Sequence, residues 1–289
     1  MKHFIYSMIN KFRPNPPAVV AVIKMTGVIA VGGRLGQTIN LEGYEKIIET
    51  AFSMPGLKAV ALSINSPGGS PVQSGLILNR IRQLADKGDI PVLAFVEDVA
   101  ASGGYMLAIA GDEIFAHDAS IIGSIGVIYA GFGYTEAMKK LGVERRLHTA
   151  GESKSMLDPF SPEKAEDIRR LKDLQTEIHD YFKSVVKDRR GKKLKDNHAK
   201  LFSGDVWVGK GAQKMGLIDG VGELKEILRK KFGENVKIRD LSQKKPRLSS
   251  ILGILKGADA NLGAPYVKGW ADELFNTIET RSFWSRWGL

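Results

Sequence analysis

A serine followed by two glycines, between a strand-like and a helix-like apolar run, is the feature most suggestive of chemistry. Ser102 lies in the stretch Asp98–Ala110, D-V-A-A-S-G-G-Y-M-L-A-I-A, just after the apolar run Pro91–Val96. A hydroxyl at a helix start lies near unpaired N–H groups and the positive end of the helix dipole, which favour a developing anion. Glycines at the turn allow another chain to approach closely. Taken alone, the pattern is more typical of an ordinary helix N-cap than of a nucleophilic serine.

A second glycine-rich turn upstream favours the functional interpretation. The apolar run Val60–Asn65 leads into S-P-G-G-S, Ser66–Ser70, and then into a helical apolar pattern. The residues predicted on one side of this helix are Val72, Leu76, Ile77, Ile81 and Leu84. Turns that follow parallel strands lie at the same edge of a sheet, where sites form. We therefore expect the two turns to lie close together.

Composition excludes several classes of function. The chain has 289 residues, 43% of them hydrophobic, which is enough for a large core. It contains no cysteine, which excludes disulfides, thiolate catalysis and cysteine-ligated metal. The net charge is +10, but no basic-aromatic nucleic-acid motif accompanies it. We interpret most of the basic residues as solvated helix faces and expect no nucleic-acid partner.

The two ends of the sequence suggest contacts rather than a membrane span. No stretch approaches the roughly 18–20 apolar residues of a spanning helix, and the start lacks the features of a secretory signal. Phe4, Ile5, Met8, Ile9 and Phe12 would share one helical face. That face suits an interfacial membrane anchor or a segment that docks on protein. The expected location is cytoplasmic, with peripheral association at the inner face of the membrane as the alternative.

The rest of the chain alternates predicted strands and helices. Further predicted strands are Ala18–Lys24, Glu113–His117, Ile121–Tyr129, Glu144–Thr149, Val206–Val208, Leu217–Asp219 and Val236–Arg239. Further predicted helices are Leu41–Met54, Thr135–Leu141, a long helix capped by Ser161 with Pro162 first and running to about Asp188, Gly209–Gly216 and Gly222–Phe232. This alternation predicts an α/β fold with a mainly parallel sheet. We divide the chain into an N-terminal segment, 1–17, a main domain, 18–240, and a C-terminal tail, 241–289.

Several short motifs together identify a family. The turns S-P-G-G-S, A-A-S-G-G-Y and G-S-I-G-V, followed by G-E-S-K and M-G-L-I-D-G-V-G, resemble serine peptidases of the signal peptide peptidase A type, including SohB-like and archaeal relatives. The resemblance spans roughly Ala18–Phe232. It implies the Clp-protease/crotonase fold, with repeated strand–turn–helix units, and an endopeptidase of short, extended, mostly apolar peptides. Signal-peptide remnants and membrane-protein fragments are such substrates.

The resemblance also assigns roles to residues. It implies Ser102 as nucleophile and Lys154, in G-E-S-K-S, as general base. It implies the N–H groups of Gly69 and Gly103 as the oxyanion hole, and Ser124 as hydrogen-bond partner of the lysine. An ordinary lysine is protonated at neutral pH, but burial can favour the neutral amine that such a base requires. No metal, nucleotide or organic cofactor is implied.

The resemblance further implies that the active site is shared between subunits. Relatives with two fused copies place the serine and the lysine in different halves. In a single-copy chain, Lys154 would then serve Ser102 of the next subunit. A head-to-tail contact of this kind is heterologous, and a closed homo-oligomeric ring satisfies every subunit.

Three alternatives stay open from the sequence. A Ser-His-Asp arrangement would need a histidine, and of the five only His117, beside Asp118, precedes the G-S-I-G turn closely enough to approach the site. We interpret His117 as a surface residue at a strand end. A crotonase-type acyl-CoA hydratase or isomerase would use carboxylates, where this chain offers Ser102. An oligomeric scaffold without activity is the third alternative, although Ser102 and Lys154 are both present.

Overall fold

The part of the chain that the structure describes builds one eight-stranded sheet with helices on both faces. The structure is a computed structural model that describes residues 17–31, 38–151, 153–195, 198–242, 282 and 284–288. The strands are β1 (Val19–Thr26), β2 (Leu57–Ser66), β3 (Val92–Ala101), β4 (Glu113–Ala116), β5 (Ile121–Gly123), β6 (Val206–Val208), β7 (Gly220–Val221) and β8 (Lys237–Leu241). The α-helices are α1 (Leu41–Phe52), α2 (Pro71–Gly88), α3 (Gly103–Ala108), α4 (Thr135–Leu141), α5 (Ala165–Arg190), α6 (His198–Leu201), α7 (Gly209–Lys214) and α8 (Leu224–Phe232).

The sheet is mainly parallel, as the sequence predicts. Its strands follow the order β6-β5-β3-β2-β1-β8, and β4 pairs with both β3 and β7. Within the described residues, β5–β6 is antiparallel and the other pairings between named strands are parallel. The predicted α/β fold with a mainly parallel sheet is confirmed.

The central strands are apolar because helices cover both of their faces. Alternate residues of β1 point to opposite sides. Ile23 belongs to a large core that also receives side chains of α1, α2, α3 and α5. Val22 belongs to a smaller core on the other face, where Leu228 of α8 is buried. A strand buried on both faces therefore reads as a continuous apolar run.

Three predicted elements on either side of Lys154 differ from the structure. The predicted strand Glu144–Thr149 is wrong, because these residues are exposed and pair with no described strand. The predicted strand Ile121–Tyr129 ends at Gly123, where Ser124 takes a φ of 53°. The long helix begins at Ala165 rather than at Pro162. Its predicted cap, Ser161, instead donates a hydrogen bond of 3.0 Å to Asp158 in the preceding turn.

Two further predictions are corrected at the sheet and at α2. The short strand predicted over Leu217–Asp219 lies instead at Gly220–Val221. On α2, Ile77 and Ile81 are buried as predicted. Val72 and Leu76, predicted on the same side, are 66% and 42% exposed.

The predicted domain boundary falls where the described sheet ends. β8 pairs with β1 up to Leu241, next to the predicted limit of the main domain. The predicted apolar face Phe4–Phe12 lies outside the described residues, as does most of the tail. Of the helices that the structure describes, none is long and apolar enough to cross a membrane.

Candidate active site

Ser102 occupies a strained turn between β3 and α3. Its φ is 52° and its ψ is −122°, although it is not a glycine. A positive φ costs a residue with a side chain about 1–3 kcal/mol and persists only where the surroundings fix it. Here the Ser102 N–H donates to the Gly123 carbonyl at 2.8 Å, and the Ser102 carbonyl accepts from Met106 at 3.1 Å. A strained strand-to-helix turn of this kind holds a nucleophilic serine at the edge of a sheet.

The two glycine-rich turns touch, as predicted. A Cβ placed on Gly68 would lie 2.8 Å from both the Ala101 carbonyl oxygen and the Ser102 Cβ. A Cβ placed on Gly103 would lie 3.4 Å from the Gly69 nitrogen. A side chain at Gly68 would therefore push the turns apart, whereas one at Gly103 would first meet the Ser74 hydroxyl at 2.5 Å.

The N–H groups of Gly69 and Gly103 are available at this contact. Ile29 donates to the Gly68 carbonyl at 2.8 Å and accepts from the Ser70 N–H at 2.7 Å. Because backbone groups alternate along an extended chain, the Gly69 N–H points away from Ile29. Gly103 is the first residue of α3, so its N–H has no partner within the helix. Neither N–H donates a hydrogen bond within the described residues. Two free donors beside a serine can stabilise an oxyanion.

Ser124 lies next to Ser102 because β5 pairs with the end of β3. Ala101 and Gly123 are paired residues, so the two serines follow paired positions on neighbouring strands. Ser124 also has a positive φ, 53°. Its N–H donates to the Asp205 carbonyl at 2.7 Å. The structure thus brings together four of the predicted site residues, Ser102, Gly103, Gly69 and Ser124.

Lys154 lies apart, on an exposed loop. Its backbone N–H donates to Gly151 at 3.2 Å, and its side chain makes no hydrogen bond or ion pair with the described part of the chain. The loop is attached to α5, since Leu157 donates to the Asp167 carboxylate at 3.4 Å. A single copy of the chain therefore does not bring Lys154 into contact with Ser102 within the residues that the structure describes.

The histidine that reaches this region is His179, which the sequence interpretation missed. His117 is exposed, and its Nδ1 accepts from the Ala119 N–H at 3.2 Å within its own turn. His179, on α5, places its Nε2 3.1 Å from the Ile125 carbonyl oxygen. A signal was present in the sequence, because His179 shares a helical face with the apolar residues Phe182 and Val186.

Comparison with known proteins agrees with the motifs. Residues 85–238 match the family model described as peptidase family S49. That range contains Ser102, Ser124 and Lys154, and Gly69 lies before it. The chain belongs to peptidase family S49.

Individual relatives extend this finding. The chain is 49% identical over 272 residues to a Brucella abortus (strain 2308) protein named Na(+)/H(+) antiporter NhaA, a match that covers 93% of this chain and 37% of that protein. It is 32% identical over 274 residues to the chloroplastic serine protease SPPA of Arabidopsis thaliana, covering 88% of this chain and 39% of the relative. The chain thus spans well under half the length of these relatives. Other matched proteins carry the names SppA, SohB and protease 4.

A solved structure shares the fold. A mutant of the 1510-N membrane-bound stomatin-specific protease in complex with a substrate peptide superposes with a TM-score of 0.50 and 17% identity. The match covers 84% of this chain and 100% of that one. At this identity the similarity concerns the fold alone.

Proposed function

We propose that the chain is a serine endopeptidase with a Ser-Lys dyad, in which Ser102 is the nucleophile and Lys154 is the general base. The observation that carries the proposal is the strained turn of Ser102, which meets the free N–H groups of Gly69 and Gly103. The Ser102 oxygen attacks the peptide carbonyl while the lysine amine takes the hydroxyl proton. The two N–H groups then donate hydrogen bonds to the oxyanion. The lysine returns the proton to the leaving amine as the peptide C–N bond breaks, and water then hydrolyses the ester left on Ser102.

Ser124 supports the base in this proposal. Gly123, just before Ser124, pairs with Ala101, just before Ser102, so the two serines follow paired strand positions. A hydroxyl that accepts from the lysine orients the amine toward the nucleophile.

We infer further that the lysine comes from a neighbouring copy of the chain. The loop of Lys154 belongs to residues 127–166, and none of the described residues in that stretch is buried. Phe132 and Leu141 within it are 78% and 77% exposed. Exposed apolar surface of this extent marks a contact surface, and we infer that a neighbouring copy of the chain covers it. We call residues 127–166 the lysine arm.

A second exposed apolar face could receive the arm of the next subunit. Helix α2 meets α5 at Gly75, where an added Cβ would lie 2.5 Å from the Tyr181 hydroxyl. Val72 and Leu76 on α2 and Ile178 and Tyr181 on α5 are exposed. This face starts one turn of α2 after the oxyanion-hole residue Gly69. Two different faces that meet make a heterologous contact, and such contacts form a closed ring when the rotation between neighbours closes.

The proposed substrates are short, extended, mostly apolar peptides, such as signal-peptide remnants or membrane-protein fragments. An extended strand suits the site because the scissile carbonyl must reach two backbone donors at the bottom of a glycine turn. Val31 and Val72, both exposed, flank that turn and offer apolar contacts to substrate side chains.

Active-site labelling tests the nucleophile. A fluorophosphonate probe should add its mass to Ser102 in the wild type and not in Ser102→Ala. A peptide-digest profile should show cleavages that disappear in the same variant. An unlabelled Ser102 in folded, assembled protein would exclude the serine mechanism and favour a crotonase-type or non-catalytic role.

Subunit mixing tests the shared site. Ser102→Ala and Lys154→Ala proteins should each be inactive, and dissociating and reannealing them together should restore part of the activity. Some interfaces would then pair an intact serine with an intact lysine. Mixed oligomers that assemble but stay inactive would show that each subunit carries its own dyad.

A further inference from the structure

The inner face of α5 reaches the turn that carries Ser124. His179 is half-buried on the same face as the buried residues Phe182 and Val186. Its Nε2 lies 3.1 Å from the carbonyl oxygen of Ile125. A carbonyl oxygen can only accept, so Nε2 carries the hydrogen and donates it.

The turn needs such support because Ser124 is strained. A non-glycine residue at a φ of 53° keeps this conformation only if several contacts fix it. One of them is local, because the Gly126 N–H donates to the Ser124 carbonyl at 3.0 Å. A second comes from the segment before β6, where the Asp205 carbonyl accepts the Ser124 N–H at 2.7 Å. The third is the His179 bond, which crosses 54 positions of sequence from another element.

The turn at Ser124 is also coupled to the nucleophile. The Gly123 carbonyl, one residue before Ser124, accepts the Ser102 N–H at 2.8 Å. A shift of the turn therefore moves both the supporting hydroxyl and one of the two bonds that hold Ser102 in its own strained conformation.

We propose that His179 is a positioning residue, which fixes the Ser124–Gly126 turn from α5 and thereby keeps Ser124 in register with Ser102. It contacts the backbone of Ile125 and takes no proton in the reaction. The kinetic part of this inference rests on the proposed function, whereas its structural part does not.

Kinetics of three variants test the role. His179→Ala removes the donor, and His179→Gln retains an amide N–H with a similar reach. His117→Ala is the matched control, because that ring bonds only within its own turn. We expect kcat to fall about ten-fold in His179→Ala with KM within about two-fold, since geometry at the reacting atoms affects the transition state more than binding. His179→Gln should recover most of kcat, and His117→Ala should match the wild type.

Hydrogen exchange provides a readout that does not depend on activity. The amides of Ser124 and Gly126 should exchange about ten-fold faster in His179→Ala and close to the wild-type rate in His179→Gln. Unchanged exchange in His179→Ala would overturn the inference, whatever the enzyme does. A loss of kcat in His179→Ala that His179→Gln does not recover would also overturn it, because packing alone would then be responsible. A wild type without peptidase activity would refute the proposed function, and the exchange result would still decide the role of His179.

Discussion

Substituting Gly69 by alanine tests the proposed oxyanion hole most directly. An added Cβ would lie 2.1 Å from the carbonyl oxygen of Ile29 and 2.9 Å from its carbonyl carbon. Both atoms belong to the backbone of a bridge that pairs Ile29 with Gly69, so no side chain can rotate away. The φ of Gly69 is also +137°, a conformation that alanine rarely adopts.

The expected loss follows from the displacement. Restoring an ordinary contact from 2.1 Å requires a backbone movement of about 1 Å, and a misplacement of that size can cost about 10²-fold in rate. Because the moved group is itself one of two donors, the loss should resemble that of an oxyanion-hole donor, about 10²–10³-fold in kcat. Strain at a positive φ costs about 1–3 kcal/mol of a total stability of about 5–15 kcal/mol, and the backbone shift adds to that cost, so the stability of the variant must be measured beside its kcat.

The assay compares kcat of Gly69→Ala with that of Gly211→Ala. Gly211 lies inside α7, and a Cβ there would meet Trp207 at 3.8 Å, an ordinary contact. Gly211→Ala should keep full activity and gain about 0.5–1 kcal/mol in the free energy of unfolding. Urea denaturation checks that both variants are folded. If folded Gly69→Ala retained activity within about three-fold of the wild type, Gly69 would not supply an essential donor and the proposed oxyanion hole would be wrong.

Two further predictions concern the base and a buried ion pair. Lys154→Ala should abolish peptide cleavage, and His117→Ala should preserve it. The wild-type rate should rise from acid to mild alkali, because only an uncharged amine accepts the serine proton. An active Lys154→Ala with an inactive His117→Ala, or a flat pH–rate profile with chemistry rate-limiting, would contradict a lysine base. Burial raises the pKa of Asp219, but the hydrogen bonds from Arg190 and Lys193 outweigh it and leave that pKa below its usual value. A carboxyl whose pKa is lowered by folding stabilises the fold fully at pH values above its pKa in the unfolded chain, near 3.9. This contribution is lost as the pH falls through the lower pKa of the folded protein. Asp219→Asn removes the carboxylate charge that pairs with Arg190, whose side chain is 2% exposed. The free energy of unfolding, measured by urea denaturation, should fall by about 3–5 kcal/mol at pH 7 and by less below pH 4. An equal cost at both pH values would show that charge is not the cause.

The sequence predicts the fold well where a local pattern carries the information. The apolar run that forms β1 and the glycine turns after β2 and β3 could be read directly, because burial on both faces and close backbone approach each require particular residue types. The meeting of Gly69 with Gly103 followed from the parallel arrangement alone. The placement of these two turns beside one another could therefore be predicted, whereas the roles of their residues stay predictions.

The predictions failed where a tertiary contact overrides the local pattern. Ser161 has the residue type of a helix cap, but its hydroxyl bonds to Asp158, which moves the helix start to Ala165. The hydrogen bond between His179 and the Ile125 carbonyl joins two elements that are far apart in sequence. Its only trace in the sequence is the helical spacing of His179 with apolar residues of the same helix. No local rule predicts which of several histidines will face a given turn.

The prediction for the exposed apolar residues of α2 failed for a different reason. Val72 and Leu76 have the spacing of a core face, and the pattern cannot distinguish a core within the chain from an interface between chains. In the structure they are exposed. The lysine arm shows the same mismatch between apolar composition and burial. In the assembly proposed above, the lysine arm of one subunit covers the exposed apolar residues of α2 in the next. The apolar pattern of α2 would then predict burial correctly, at an interface between subunits rather than in the core of one.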